Sequence, residues 1–324
     1  MDYKKGVSVL TITYGHESYI AETIEGVLNQ DADFPIEMII ADDHSPDETE
    51  KVVRFYIENH PNGHRIKYTK HTVNKGMNHN YIWALEQCQK KYIAVCEGDD
   101  FWTDPNKLQC QVDFLEKNKT FSFTFHQVNR VNQKGQTLVK NYSPANFFAP
   151  ESFFSSERVI TYDMVINTCS LLFRNNEQLS RQMEGAIFLP FGDKIIEKLL
   201  ALQGDGYLFR NSMACYRANP NSVTREASWR NYGKENRYHD YIELFKYLKG
   251  LTKSDVKLEL LDKVIKRCKH RLKNNEFLWY FSPNSISIIY IYSGRRISNF
   301  FKLYLEELYQ SFKRFILKRV LKRF

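Results

Sequence analysis

Three carboxylates that follow an apolar run form the pattern with the clearest chemical meaning. Tyr92–Cys96 is apolar, and Glu97-Gly98-Asp99-Asp100 comes directly after it. Adjacent carboxylates on a turn are hard oxygen ligands, suited to Mn²⁺ or Mg²⁺ beside a diphosphate. An ordinary solvated Asp-Asp turn is the simpler alternative. Because a second pair, Asp42-Asp43, also follows an apolar run, the pattern favours a functional site.

Alternating apolar and amphipathic segments place these carboxylates at the ends of strands. The first hundred residues predict the order β-α-β-α-β, typical of a parallel sheet wrapped by helices. Ligands of such sheets bind outside the carboxyl ends of the strands. We therefore expect Thr13-Tyr14, Asp42-Asp43 and Asp99-Asp100 to converge on one crevice. Further along the chain, the sequence predicts a strand over Thr168–Arg174 and a helix that opens at Gly192-Asp193.

The charge is distributed unevenly along the 324 residues, of which 43% are hydrophobic. Residues 1–229 hold 24 Lys and Arg against 29 Asp and Glu, whereas residues 230–324 hold 22 against 9. We predict an α/β domain over 1–229 and a basic helical extension over 230–324. The six widely spaced cysteines form no Cys-x-x-Cys pair, so we expect buried free thiols and no zinc site.

The last part of the chain has an amphipathic pattern. Apolar residues between Ile297 and Val320 recur at helical spacing, with Lys and Arg mostly off that face. This pattern predicts a helix on an anionic membrane surface, and a helix packed on the protein's own body is the alternative. No recognition module for nucleic acid is present. Without an apolar leader or a run of about 20 apolar residues, we expect a cytoplasmic protein on the inner face of the membrane, with no spanning helix.

Three segments resemble family-2 glycosyltransferases of the GT-A fold. Val7–Tyr14 resembles the opening strand of that family, Ile39–Thr49 its second-strand motif, and Asn74-Lys75-Gly76 its Asn-x-Gly turn. The resemblance covers roughly residues 6–224. It implies an α/β fold with a mostly parallel sheet and flanking helices. It also implies sugar transfer from a nucleotide donor to a glycan or lipid-linked acceptor, in the synthesis of a bacterial surface polysaccharide.

The resemblance also implies roles for residues at the strand ends. The base is expected at Ile12, Thr13, Tyr14 and Asp43, the ribose or metal at Asp99, and the metal at Asp100. A carboxylate accepts a hydrogen bond from the imide N–H of uracil or thymine and finds no such donor on cytosine. A UDP-sugar is therefore favoured, followed by a dTDP-sugar. A helix cap or turn is the alternative role for the Asp42-Asp43 pair.

Two basic residues are candidates for the diphosphate. Lys75 lies in the Asn-x-Gly turn, which has an ordinary turn as its alternative. Some relatives carry Arg-x-His near the end of the domain, where this chain has Arg217-Ala218-Asn219. Arg217 is therefore expected to bind phosphate, while the missing His removes a third protein ligand from the metal.

Asp193 is the candidate general base. An inverting transfer needs a group that takes the proton from the acceptor hydroxyl, and a carboxylate is the usual choice. The family has a Glu-Asp or similar pair near this point, of which the chain keeps the Asp. A helix N-cap is the alternative role.

Two other functions are compatible with parts of the pattern. A sugar nucleotidyltransferase also binds metal and nucleotide at strand ends, but usually has a Gly-rich basic loop after the first strand. Here that loop is Thr13-Tyr14-Gly15-His16-Glu17, with one Gly and an acid. The other alternative is a non-catalytic, membrane-associated scaffold that retains nucleotide binding.

Overall fold

A computed structural model describes residues 4–142, 152–161, 166–189, 192–218 and 234–274. These residues form one ten-stranded mixed sheet with helices on its faces. The predicted α/β class is therefore confirmed.

Strands and helices alternate from Lys4 to Val95, as the apolar pattern of the first hundred residues predicts. The strands are β1 Lys4–Thr13, β2 Ile36–Asp42, β3 Ile66–Lys70, β4 Lys90–Val95, β5 Phe101–Trp102, β6 Phe121–Val131, β7 Thr137–Tyr142, β8 Phe153–Phe154, β9 Leu172–Arg174 and β10 Asp205–Arg217. The α-helices are α1 Ile20–Leu28, α2 Thr49–Asn59, α3 Met77–Gln87, α4 Lys107–Lys117, α5 Ser156–Thr161, α6 Leu179–Glu184, α7 Gly192–Gln203, α8 Lys234–Leu251 and α9 Asp255–Asn274.

The sheet has a parallel half and a mixed half. Its order is β3-β2-β1-β4-β9-β6-β10-β5, with β7 beside β6 and β8 beside β10. Strands β3, β2, β1 and β4 are mutually parallel, whereas β9 runs antiparallel to both β4 and β6. Strands β6 and β10 are again parallel. All carboxyl ends of the parallel half therefore lie at one edge.

The two faces of the sheet carry two hydrophobic cores. On β1, Val7 and Val9 belong to the core that includes α1, α2 and α4, while Leu10 belongs to the core that includes α3 and α5 to α9. All three side chains are fully buried. A strand covered on both faces needs apolar residues throughout, which explains the nearly continuous apolar run in its sequence.

The helices beyond residue 230 bury side chains in the same core as α7. Leu248 of α8 and Leu261 of α9 are fully buried members of that core. The predicted division at 229/230 stays a prediction. The amphipathic stretch Ile297–Val320 lies outside the described residues, and no described helix has both the length and the apolarity needed to cross a membrane.

Two details of the sequence interpretation are wrong. The strand predicted over Thr168–Arg174 begins only at Leu172, because Thr168–Ser170 forms a 3₁₀ turn. Within that turn the Ser170 N–H donates to Asn167 O and the Leu171 N–H to Thr168 O, each at 2.9 Å. The six cysteines are free as expected, but Cys110 is exposed.

The buried position of Leu248 gives a prediction for stability. Replacing Leu248 by Ala should lower the free energy of unfolding by about 2 to 5 kcal/mol, because it leaves a cavity in the shared core. Val256→Ala, at a 77% exposed position of α9, is the control and should change it by less than about 0.5 kcal/mol. Urea unfolding measures both variants. Equal effects would mean that α8 does not contribute to the core.

Candidate active site

The carboxyl end of β1 connects the two acidic strand ends. Its Ile12 carbonyl accepts the Gly98 N–H at 3.0 Å, and its Thr13 carbonyl accepts the Asp43 N–H at 2.9 Å. Successive carbonyls of a strand point to opposite sides, so β1 holds one acidic turn on each side. The structure therefore brings the β1, β2 and β4 ends together, as the sequence analysis expects.

The two aspartates at the end of β2 have different hydrogen-bond partners. Asp42 is fully buried, and its carboxylate accepts the Ser45 N–H and the Tyr68 hydroxyl, each at 2.7 Å. Asp43 reaches the loop before α3, where Oδ1 accepts the Lys75 N–H at 2.7 Å and Oδ2 the Gly76 N–H at 2.9 Å. Asp42 therefore stabilises the turn, while Asp43 attaches the Asn-x-Gly loop to the site.

The Asn-x-Gly loop presents a lysine to solvent. Gly76 has a φ of 82°, a conformation that favours glycine, and it comes directly before the first residue of α3. The Asn74 side-chain oxygen accepts the Gly76 N–H at 2.9 Å. The side chain of Lys75 is exposed, as is that of Tyr14 at the end of β1. Both side chains are accessible at the edge where the strands end.

The acidic turn has one accessible aspartate and one buried one. The Asp99 side chain is 18% exposed, whereas Asp100 is only 2% exposed. The Asp100 carboxylate accepts the backbone N–H of Arg217 at 2.8 Å, and its carbonyl accepts the Thr23 hydroxyl at 2.7 Å. Burial raises the pKa of Asp100 well above its usual range, and the nearby Asp99 and Glu97 charges add to this rise.

Arg217 connects the acidic turn to two other parts of the chain. Its Nε donates to the Asp99 carbonyl at 2.8 Å, and its backbone N–H donates to the Asp100 carboxylate. Its Nη1 donates to the Gln133 carbonyl at 2.9 Å, and its Nη2 to the Glu22 carboxylate at 2.9 Å. These bonds fix the backbone of the turn against α1 and the β6–β7 hairpin.

The environment of Arg217 favours a structural role over the expected phosphate contact. The residue is 2% exposed, and its guanidinium carbon lies 4.8 Å from the ring centre of Tyr19 and 5.1 Å from that of Phe101. A guanidinium between two aromatic rings gains cation–π stabilisation and has little room for a ligand.

Glu97 lies within electrostatic reach of two predicted site residues. Burial raises its pKa to about 7, a hydrogen bond from Thr168 opposes the rise, and the Asp99 and Asp193 charges add to it. Its Oε2 is buried and has no hydrogen-bond partner among the described residues. The acidic turn and the start of α7 therefore belong to one negatively charged region.

The start of α7 lies beside the start of α3. Gly192 packs so closely on Asn78 that a Cβ there would be 2.8 Å from its side-chain oxygen. The Asn78 amide also donates to the Leu189 carbonyl at 3.3 Å. Asp193, in the first turn of α7, is exposed. Its carboxylate is therefore accessible at the crevice edge, next to the loop that Asp43 holds.

His16 is a site residue that sequence reasoning missed. It lies between β1 and α1, with Nδ1 at 3.2 Å from Thr13 Oγ1 and Nε2 at 4.0 Å from Asp99 Oδ2. Burial lowers its pKa, against the opposing effect of the Asp99 charge. Only its position right after the first strand end could have pointed to it in the sequence.

No complete metal-binding group is preformed in the described part of the chain, where no three His, Cys, Asp or Glu side chains have suitable spacing. The donor set at the acidic turn still suits a hard divalent cation, because the carboxylates of Glu97, Asp99 and Asp100 repel one another there.

Comparison with known families decides the assignment. The family model for glycosyl transferase family 2 matches residues 8–178, which is more than half of the chain. The chain belongs to glycosyl transferase family 2. The similarity that the strand-end motifs indicated is thereby confirmed.

Named relatives share parts of the chain. It is 30% identical over 190 residues to the putative teichuronic acid biosynthesis glycosyltransferase TuaG of Bacillus subtilis, covering 58% of this chain and 68% of TuaG. It is 37% identical over 131 residues to the uncharacterized protein Rv1520 of Mycobacterium tuberculosis, covering 40% of this chain and only 37% of the relative.

Solved structures confirm the predicted GT-A fold. S. aureus TarS (residues 1–349), in complex with UDP-GlcNAc, has a TM-score of 0.59 at 17% identity and covers 87% of this chain and 75% of TarS. The mannosyltransferase PcManGT of Pyrobaculum calidifontis, in complex with GDP-Man and Mn²⁺, has a TM-score of 0.56 at 15% identity and covers 89% of this chain and 79% of PcManGT.

The Arg217 contacts give a prediction that separates its bonds to backbone from its ion pair. Arg217→Lys should lower the free energy of unfolding by about 2 to 4 kcal/mol, because an ammonium cannot replace several diverging N–H donors. Glu22→Gln should cost less than about 1 kcal/mol, since Glu22 is 50% exposed. Urea unfolding of both variants tests this. A large loss in Glu22→Gln would show that the ion pair dominates.

Proposed function

We propose that the protein is an inverting, metal-dependent glycosyltransferase that takes a sugar from a UDP-sugar. The observation that carries this proposal is the pair of hydrogen bonds to the Ile12 and Thr13 carbonyls, which holds the Asp43 and Asp99 turns on either side of one strand end. A nucleotide-sugar has its base at one end, its sugar at the other, and the diphosphate between them. Two acidic turns on either side of one strand end can bind the base and the diphosphate at once.

The base is assigned to the Asp43 side of the crevice. The Asp43 carboxylate uses one bond on each oxygen to hold the Asn-x-Gly loop, and a carboxylate has about four acceptor positions. It therefore retains capacity for the imide N–H of uracil. Ile12, Thr13 and the exposed Tyr14 form the adjoining wall, and a dTDP-sugar is the second choice of donor.

The diphosphate is assigned to the Asp99 side, with Lys75 approaching from the loop. Asp99 is the more exposed of the two aspartates, and we assign it the direct contact with Mn²⁺ or Mg²⁺. Asp100 lies behind it and adds negative charge. When bound, the cation would neutralise charge on the departing nucleoside diphosphate. The Arg217 contacts support a positioning role, so we do not assign Arg217 to the phosphate.

Asp193 is assigned the proton transfer. As a general base it would take the proton from the acceptor hydroxyl. At the same time that oxygen would attack the anomeric carbon, and the bond from this carbon to the nucleotide phosphate would break. Its exposure at the start of α7 suits contact with an incoming acceptor. Its influence on the pKa of Glu97 supports its proximity to the acidic turn.

The acceptor is assigned to the class of surface glycans or their lipid-linked precursors. The name of the relative TuaG, which refers to teichuronic acid, supports this choice. The excess of Lys and Arg over residues 230–324 supports placement on the inner face of the cell membrane. Both parts of this proposal rest on similarity and charge rather than on the site.

The assignment of Asp193 gives a kinetic prediction. Asp193→Asn should lower kcat at least about 100-fold while the Kd for UDP changes less than about twofold, because the base acts only in transfer. Asp255→Asn is the matched control, since Asp255 is also exposed in the first turn of a helix. Release of UDP from a panel of UDP-sugars measures turnover. Unchanged turnover in Asp193→Asn would refute the assignment, and UDP binding without turnover in the wild type would favour a scaffold.

The assignment of Asp43 gives a prediction about the base. UDP should bind at least about tenfold more tightly than CDP in the presence of Mn²⁺, because cytosine offers the carboxylate no imide N–H. Isothermal titration calorimetry with both nucleotides measures the difference. They share ribose and diphosphate, so each serves as the control for the other. Equal affinities would exclude Asp43 from base recognition.

A further inference from the structure

Backbone hydrogen bonds fix the position of His16 between β1 and α1. Its carbonyl accepts the N–H groups of Tyr19 and Ile20, each at 2.9 Å, which fixes it to the start of α1. Its own N–H donates to Thr49 Oγ1 at 3.0 Å, at the start of α2. The imidazole therefore extends from a backbone fixed by two helices.

One ring nitrogen of His16 contacts Thr13, and the other lies near the acidic turn. Nδ1 lies 3.2 Å from Thr13 Oγ1, and Nε2 faces Asp99 Oδ2 at 4.0 Å. A distance of 4.0 Å is too long for a hydrogen bond. With the hydrogen on Nδ1 donated to Thr13, Nε2 keeps its lone pair toward Asp99.

The acidic turn lacks a side chain where the ring lies. A Cβ on Gly98 would be 2.7 Å from Thr13 Oγ1 and 2.8 Å from His16 Nδ1, closer than real Cβ atoms approach. Glycine at this position therefore lets the Thr13–His16 pair lie against the turn. The close packing joins the imidazole and Asp99 into one local unit.

The distance between His16 Nε2 and Asp99 Oδ2 allows both atoms to bind one cation. Two ligands that each bind one ion at about 2.1 Å lie about 3.0 Å apart at adjacent octahedral corners and about 4.2 Å apart at opposite ones. The observed 4.0 Å is close to the separation of opposite corners. Histidines that bind metal usually donate their other ring N–H to a protein acceptor, and Thr13 Oγ1 is such an acceptor for the tautomer with the hydrogen on Nδ1.

We propose that His16 Nε2 and Asp99 are both ligands of the divalent cation, which rests on the metal site of the proposed function. The donor diphosphate and water complete the coordination, as is usual for Mg²⁺ and similar ions at phosphate sites. The metal site then draws its ligands from the loops after β1 and β4. A cation bound by both residues fixes the β1–α1 loop when the donor is present.

Pulsed EPR of Mn²⁺ in the presence of UDP tests the coordination directly, because a bound imidazole nitrogen gives a nuclear modulation that oxygen ligands do not. The wild type should show this modulation, and labelling its histidines with ¹⁵N should change the frequency. His16→Gln should abolish it and weaken Mn²⁺ binding at least about tenfold. His79→Gln, at an exposed position in the first turn of α3, is the control and should keep both properties.

The outcomes separate this inference from the proposed function. Mn²⁺ and UDP binding without nitrogen modulation in the wild type would overturn the role of His16 and leave the transferase proposal intact. Modulation that persists in His16→Gln would also overturn it. Absence of Mn²⁺ and UDP binding in the folded wild type, with no turnover, would instead remove the proposed function. The ¹⁵N comparison uses wild-type protein and is independent of how the variant folds.

Discussion

Two neighbouring carbonyls at the end of β1 hold the site together. Ile12 accepts from the turn after β4, and Thr13 accepts from the turn after β2. Because β1 is buried on both faces and paired on both sides, it cannot shift without disrupting both cores. The distance between the two acidic turns is therefore set by the spacing of β2, β1 and β4.

The carboxylates of the acidic turn repel one another, and Arg217 offsets part of that repulsion. Glu97, Asp99 and Asp100 lie within four residues, and burial removes the water that would separate their charges. Arg217 supplies positive charge and backbone hydrogen bonds on the side away from the crevice. Arg217 therefore stabilises negative charge without covering Asp99, whose side chain remains 18% exposed.

The sequence predicted what depends on local pattern. The apolar run of β1 and the polar residues at the ends of β2 and β4 predicted the fold class and the edge where those residues meet, because alternating strands and helices form a parallel sheet whose carboxyl ends share one edge. It could not distinguish Asp42 from Asp43. The two are identical residues in the sequence. Their roles differ because Asp42 accepts the Tyr68 hydroxyl, whereas Asp43 accepts the Lys75 N–H.

The surroundings of His16 and Arg217 depend on contacts between distant segments. His16 lies beside Asp99 and Gly98 because β1 and β4 pair in parallel. Arg217 was interpreted from a short motif as a phosphate ligand, but its burial between Tyr19 and Phe101 is a property of the folded chain. No local spacing contains that information.

The separation of Asp100 and Arg217 by 117 positions also bears on the order in which the protein is made. The strands that carry Asp43 and the acidic turn leave the ribosome well before β10 does. At synthesis rates of about 5 to 20 residues per second, the delay is on the order of ten seconds. During that interval the three carboxylates lack the backbone donor and guanidinium that fix their turn. The acidic turn therefore gains these contacts only after β10 has been made.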